Sequence, residues 1–322
     1  MGEDVMPTRI LVTFVLTTLL SVAPANAEPR GQWRELPPIP SKRTEVAVAY
    51  LDGKVYVIGG FTKKGITRHV DVWNPKSEEW SSIAPLPRPL HHTTASAVGG
   101  KLYVIGGFAT GRWNPVNTTY EYDPGRQTWN EKARMPTGRG ALAATVIDGK
   151  IYAIGGAHRK LISLVNTPAL EVYDPKSDTW KQLTPMPTPR DHLTASSLNG
   201  ELYAIGGRVN VNFHRNLDAN EVYNPKTNRW TPRKPLPTKR SGITSQVLDG
   251  KILVLGGESG GGTFTENEAY DPAIDSWETL VPMPAGRHGL GSASHEGAIH
   301  LFAGGPNPGG GGSNTHTMFI LK

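Results

Sequence analysis

Arginine, histidine and carboxylate residues meet at one recurring place in this sequence. Arg43, Leu90, Arg139, Arg190, Arg240 and Arg287 hold corresponding positions in six successive segments of roughly fifty residues. Glu45, His91, His92, Asp191, His192 and His288 lie beside them, and Arg208 and Glu258 follow at the start of later loops. Five guanidinium groups converging on one mouth would suit a carboxylate, sulfate or phosphate, because the planar fork donates two parallel hydrogen bonds. A residue repeated at one position five times is also what a scaffold contains, packed on its own segment and bonded to nearby carbonyls. The irregular residues are sharper candidates, since no repeat demands them: Glu45, His92, His192 and Glu258. The expected ligand-binding set is therefore Arg43, Glu45, His92, Arg139, Arg190, His192, Arg240, Glu258 and Arg287, with no catalytic residue assigned.

His92 and His192 share one register, in the second and fourth segments, and could face each other. A metal would need a third ligand, Glu45 or His288. Histidines spread over three segments have no local spacing that signals a site, so the expectation is polar lining without metal or cofactor. The chain has no cysteine, which excludes thiol catalysis and cysteine metal sites. No G-x-S-x-G elbow, phosphate loop or H-E-x-x-H occurs. The formal charge of +6 comes from scattered Lys and Arg without a long run, a pattern that does not suit nucleic acid.

The elements that must hold these residues are legible from spacing. Trp33, Trp80, Trp129, Trp180, Trp230 and Trp277 recur, as do the pairs Gly59-Gly60, Gly106-Gly107, Gly155-Gly156, Gly206-Gly207, Gly256-Gly257 and Gly304-Gly305. The first Gly follows the preceding Trp by 26 residues five times and by 27 the sixth, which reads as one extra residue in the sixth repeat's second strand. Trp73, Tyr122, Tyr173, Tyr223 and Tyr270 each precede a Trp by seven residues, whereas the stretch from Gly pair to aromatic varies from 13 to 17. All length variation therefore sits in one loop per repeat, where function can vary without disturbing the frame.

Each repeat reads as four strands. In the third, Ala141–Ile147, a hairpin turn at Asp148-Gly149, Lys150–Ile154, Ala169–Tyr173 and Trp180–Leu183 succeed one another. First strands are lined by small residues, such as Ala47, Thr94, Ala143, Thr194, Thr244 and Gly291, while the bulk lies in the outer strands. That gradient fits strands converging on an axis. The chain opens on a lone Trp33 strand and ends with three strands, Leu290–Ser294, Ile299–Ala303 and Thr315–Leu321, lacking a fourth. The two pieces would complete one blade and leave no free edge.

The Gly pair, Tyr and Trp at these spacings resemble the kelch repeat, along nearly all of the chain after its leader. The resemblance implies an all-β, single six-bladed kelch-type β-propeller, its ring closed by an N-terminal outer strand joining the C-terminal blade. The repeats fall at about 41–87, 88–136, 137–187, 188–237, 238–284, and 285–322 completed by 31–40. It also implies that the loops after the Gly pairs share a face with the starts of the innermost strands. Trp73 in place of Tyr is a departure. Some relatives are copper radical oxidases acting on galactose, which need a Cys crosslinked to a Tyr and are excluded here. Another is the periplasmic sialic acid mutarotase, in which a Gly-Glu after a second strand and an Arg six residues on serve the sugar. Gly257-Glu258 matches the first half, but Phe264 stands at the place of the Arg.

Arg9, the apolar run Ile10–Ala23 and Ala25-Asn26-Ala27 form an export signal with cleavage expected after Ala27, and Met6 is an alternative start. The expectation is a periplasmic or extracellular propeller of residues 28–322 with no membrane span after cleavage. It would bind a protein or an acidic glycan through its loop face. The alternative is a non-redox sugar-modifying enzyme of the mutarotase or epimerase kind.

Overall fold

The computed structural model describes residues 1–3, 28–109 and 113–321. The expected export signal lies almost wholly outside the described residues. No helix among the described residues is long and apolar enough to cross a membrane.

Six four-stranded antiparallel sheets form the blades of a propeller. In the third, Ala143–Ile147, Lys150–Ile154, Leu170–Asp174 and Thr179–Gln182 run from the axis outward. The sixth combines Gly291–His295, Ala298–Phe302 and His316–Ile320 with Gln32–Glu35, which pairs Trp33 with Phe319. The first strand of the third blade begins at Ala143 rather than Ala141, because Ala141 adopts φ 54° and cannot extend the ladder. Asp148 and Gly149 both have positive φ, the mirror-image turn that matches strand twist.

The radial gradient has a steric cause. Innermost strands of neighbouring blades come so close that a Cβ on Gly291 would lie 2.3 Å from Cγ2 of Val48. Outward, each Trp packs at a tilt against the aromatic of its own blade, as Tyr173 and Trp180 do at 5.1 Å between centroids. The same Trp donates its indole N–H to a carbonyl of the blade before it: Trp180 to Ala133, Trp230 to Thr184, Trp277 to Lys234, Trp33 to Val281, Trp80 to Pro37 and Trp129 to Ala84. This clasp runs all the way around. These six indoles are half-buried, and satisfying the one donor of each joins a partial hydrophobic gain to a directional contact.

The sixth repeat carries no extra strand residue. Ala303 (φ 61°) takes the place of the first Gly and Gly304 (φ 100°) that of the second. Gly304 donates its N–H to Arg43 O, as Gly257 does to Arg287 O. The 27-residue interval is thus a frame shift of the Gly pair, with Gly305 already in the loop. The variable loops of the first, third, fourth and fifth blades fold into small hairpins; the third, Ala157–Lys160 with Ser163–Asn166, is the most regular.

Candidate functional site at the channel mouth

The predicted arginine ring does not exist as a ligand surface. Arg43, Arg139, Arg190 and Arg240 have no solvent exposure, and Arg287 has almost none. Each turns outward into its own blade. Arg190 donates to the carbonyls of Thr188 (2.9 Å) and Ala204 (2.8 Å) and to Glu221. Arg139 meets Glu171, Arg240 meets Glu268 and Arg43 meets Asp71 in the same way. Each of these carboxylates stands two residues before the blade's third-strand aromatic. Where Leu90 replaces the Arg, Tyr120 replaces the carboxylate. In the sixth blade Thr317 stands there, and Arg287, bonded only to Thr317 and carbonyls, is drawn down to about 10 by burial. These five residues are corrected from ligand contacts to scaffold. A guanidinium cannot leave water without fixed acceptors, and the blade supplies them.

Two residues further along, every blade contributes a residue with positive φ: Glu45, His92, Ala141, His192, Gly242 and Gly289, between 51° and 65°. Their backbones form a closed ring of hydrogen bonds around the axis. Glu45 N–H donates to Gly289 O (2.7 Å), His92 to Glu45 O (3.2 Å), Ala141 to His92 O and His192 to Ala141 O (both 2.9 Å). Gly242 to His192 O (3.0 Å) and Gly289 to Gly242 O (2.9 Å) complete it. The left-handed conformation aims the side chains at the axis instead of into the blade. Glycine takes it freely; Glu and His carry a steric cost of about 1–2 kcal/mol each.

Glu45, His92 and His192 therefore meet in a narrow neck. Their ligating atoms all lie within 4.8 Å of one another. Glu45 Oε2 is 3.1 Å from His92 Nε2, and Glu45 Oε1 is 3.1 Å from His288 Nδ1. The rings of His92 and His192 stand 4.7 Å apart. His192 Nδ1 lies 2.5 Å from Asp191 Oδ1, and its Nε2 is 2.7 Å from Arg208 NH2. Arg208 reaches across to Glu258, whose other oxygen accepts from Gly309 N–H at 2.6 Å. His91 and His92 approach through their Nδ1 atoms at 2.5 Å.

Burial works to raise the Glu45 carboxyl, but His92 and His288 beside it prevail and hold it well below the ordinary range. Burial lowers the His92 imidazole well below its usual value, against the pull of Glu45. For Asp191, burial is outweighed by His192 and Arg208, so it stays ionised. For His288 the same contest ends upward, because Glu45 and Glu258 both face it.

Above the neck opens a cleft of about 690 Å³. Its floor is Glu45, His92, Arg208, Glu258 and His288; Phe61, Trp113 and Phe213 form its walls, with Lys42 and Lys63 at the rim. Below the neck runs a Ser/Thr-lined channel of about 520 Å³. Of the predicted residues, Glu45, His92, His192 and Glu258 come together. Arg208 and His288 join them although the predicted set lacked them, as do Phe61 and Trp113. One signal could have found Arg208 and Phe61: each is the first residue after a Gly pair, and Phe61, Phe108, Ala157, Arg208, Glu258 and Gly305 form one register that bridges to the inner-strand starts. It is apolar in the first three blades and charged in the fourth and fifth.

The KLHDC2/KLHL20/DRC7 Kelch-repeats domain matches residues 29–207, and the Kelch motif matches 189–237 and 239–284. The chain is a kelch-repeat protein. Among solved structures, that of YjhT resembles this kelch propeller with a TM-score of 0.78 at 16% identity, covering 89% of this chain and 97% of that one. No curated protein matches the chain significantly.

Proposed function

We propose that this kelch propeller is a ligand-binding module whose ligand is a sugar-sized, polyhydroxylated molecule held in the cleft over the channel mouth. The observation that carries this reading is the concave cleft itself, with aromatic walls from Phe61, Trp113 and Phe213 over a floor of Glu45, Arg208, Glu258 and His288. Sugars present apolar C–H faces and a rim of hydroxyls, and such a cleft offers both partners at once. A flat face suited to a folded protein would lack the enclosed charged floor. On this reading the protein is exported and meets its ligand in the periplasm or outside the cell. The test is titration of Trp fluorescence with neutral and acidic mono- and oligosaccharides, beside a peptide array. Trp113→Ala should weaken sugar binding about tenfold or more with the fold intact. Peptide binding without any sugar binding would sink the proposal.

A second reading, a non-redox sugar-modifying enzyme, is favoured by one specific observation. Glu258, the residue matching the mutarotase-like Gly-Glu, lacks its Arg six residues on because Phe264 stands there. Arg208 from the neighbouring blade nevertheless pairs with it. Anomer exchange followed by saturation-transfer NMR checks this, with Glu258→Gln expected to abolish any acceleration.

A further inference from the structure

We propose that Glu45, His92 and His192 form a binding site for a divalent transition-metal ion, of which zinc suits the ligands best, in the neck between cleft and channel. The inference does not depend on the carbohydrate reading.

Two imidazoles and one carboxylate are a ligand set that holds zinc while leaving coordination positions open. Tetrahedral bonds of about 2.0–2.1 Å place ligand atoms about 3.3 Å apart. Glu45 Oε2 and His92 Nε2 already sit at 3.1 Å, and the third ligating atom lies within 4.8 Å. All three side chains are buried.

The supporting contacts present the required atoms. His192 Nδ1–H donates to Asp191, so Nε2 carries the lone pair, which accepts from Arg208. A carboxylate behind a ligating imidazole is the usual outer partner of a zinc-bound histidine. Asp191 is itself fixed by Asn166 and by the Val211 N–H. His92 has its Nδ1 on His91, so its Nε2 points at Glu45. Arg208 is a cation resting on the lone pair that a metal would take. On metal binding it withdraws to Glu258, which already holds its other terminal nitrogen.

The ring position adds a separate argument. Gly242 and Gly289 take the left-handed backbone at no steric cost, whereas Glu45, His92 and His192 keep it in spite of their side chains. A Cβ on Gly289 would lie 2.5 Å from Glu45 Oε1, so glycine there makes room for the ligating carboxylate.

The experiment uses the mature chain, stripped with a chelator and titrated with Zn²⁺ by calorimetry, with Co²⁺ absorption as a spectroscopic readout. The expected result is one ion per chain and visible cobalt bands of a nitrogen–oxygen site. His92→Asn and His192→Asn, chosen because Asn tolerates positive φ, should each weaken zinc binding at least about 100-fold. Asp191→Asn should cost about 10–100-fold. Arg208→Gln should tighten binding, because it removes the competing cation. No saturable zinc binding in the wild type would overturn the proposal. So would wild-type affinity in both histidine variants, which would place the ion on exposed residues such as His214. Should the histidine variants fail to fold, unchanged or weaker affinity in Arg208→Gln overturns it equally. Sugar binding measured in chelator keeps the failure of this site distinct from failure of the carbohydrate reading.

Discussion

Arg190 and His192 are separated by one residue and are both buried, yet they belong to different parts of the molecule. Arg190 turns into its blade and ends on Glu221 and two carbonyls. His192, flipped by a positive φ, turns to the axis and meets Asp191, Arg208 and the ring of His92. The same contrast holds in each blade between the arginine register and the left-handed register. One repeats its chemistry almost unchanged and serves its own blade. The other repeats only its backbone, and its side chains differ in blades that face one another. Repetition of a residue type marks what each blade needs alone, and its breakdown marks what the six share.

Substitution in the arginine register should have the largest effect. Arg190→Ala strands the Glu221 carboxylate in the blade and should destabilise by about 3–5 kcal/mol in denaturant unfolding. Ligand affinity of the folded fraction should be unchanged; selective loss of binding would return the arginine to the mouth.

A second test contrasts histidines by region. His300 and His316 lie in the sixth blade against Phe302, with His300 Nδ1 3.0 Å from His316 Nε2; Trp73 and Trp80 pack on His316, whose Nδ1 faces Pro37 O. Burial lowers them to about 4 and about 3, with charge from His295 adding to it for His300 and charge from His300 and then Arg287 for His316. Both values lie below the unfolded one, so the unfolded chain takes up protons first as the solution is acidified. Stability contributed by these neutral rings is present above about pH 6.5 and is lost as pH falls toward 4 and 3. The slope reaches about 1.4 kcal/mol per pH unit for each ring. His316→Phe should flatten the profile between pH 6 and 4. An unchanged slope would locate the acid sensitivity elsewhere.

A sharper test copies the second blade into the fourth. Arg190→Leu with Glu221→Tyr imitates Leu90 with Tyr120 and should recover most of the stability lost in Arg190→Ala, to within about 1–2 kcal/mol of wild type. If the double variant is no better than the single, the ion pair does more than satisfy its own blade. The smallest effect is expected at the ring itself. Ala141→Gly relieves a left-handed alanine at φ 54° but gives up a buried methyl group. The net gain should stay below about 1 kcal/mol. A clear loss in thermal melting would show that the backbone ring carries no strain at that blade.

Much of the fold was legible because it depends on residues acting locally. The Trp, Tyr and Gly intervals specify strands, turns and close approaches, and the small-to-large gradient specifies an axis. The frame shift at Ala303-Gly304 was hidden, since Ala is not a residue expected at positive φ. In the site, Glu45, His92, His192 and Glu258 stood out as breaks in a repeat. Arg208 and His288 joined them only in the structure, and Trp113 came from a variable loop with no register to mark it.

The number of blades, the order of their strands and the residues free to differ among them could be read from residue types, because these follow from spacing within one repeat. Which side chains face each other across the axis depends on how the six blades are assembled. A step of two positions along the chain turns an arginine into the blade and a histidine into the neck, through a backbone rotation that residue type does not announce. Arg208 and Glu258 are 50 positions apart, and what brings them together is the angle between two blades.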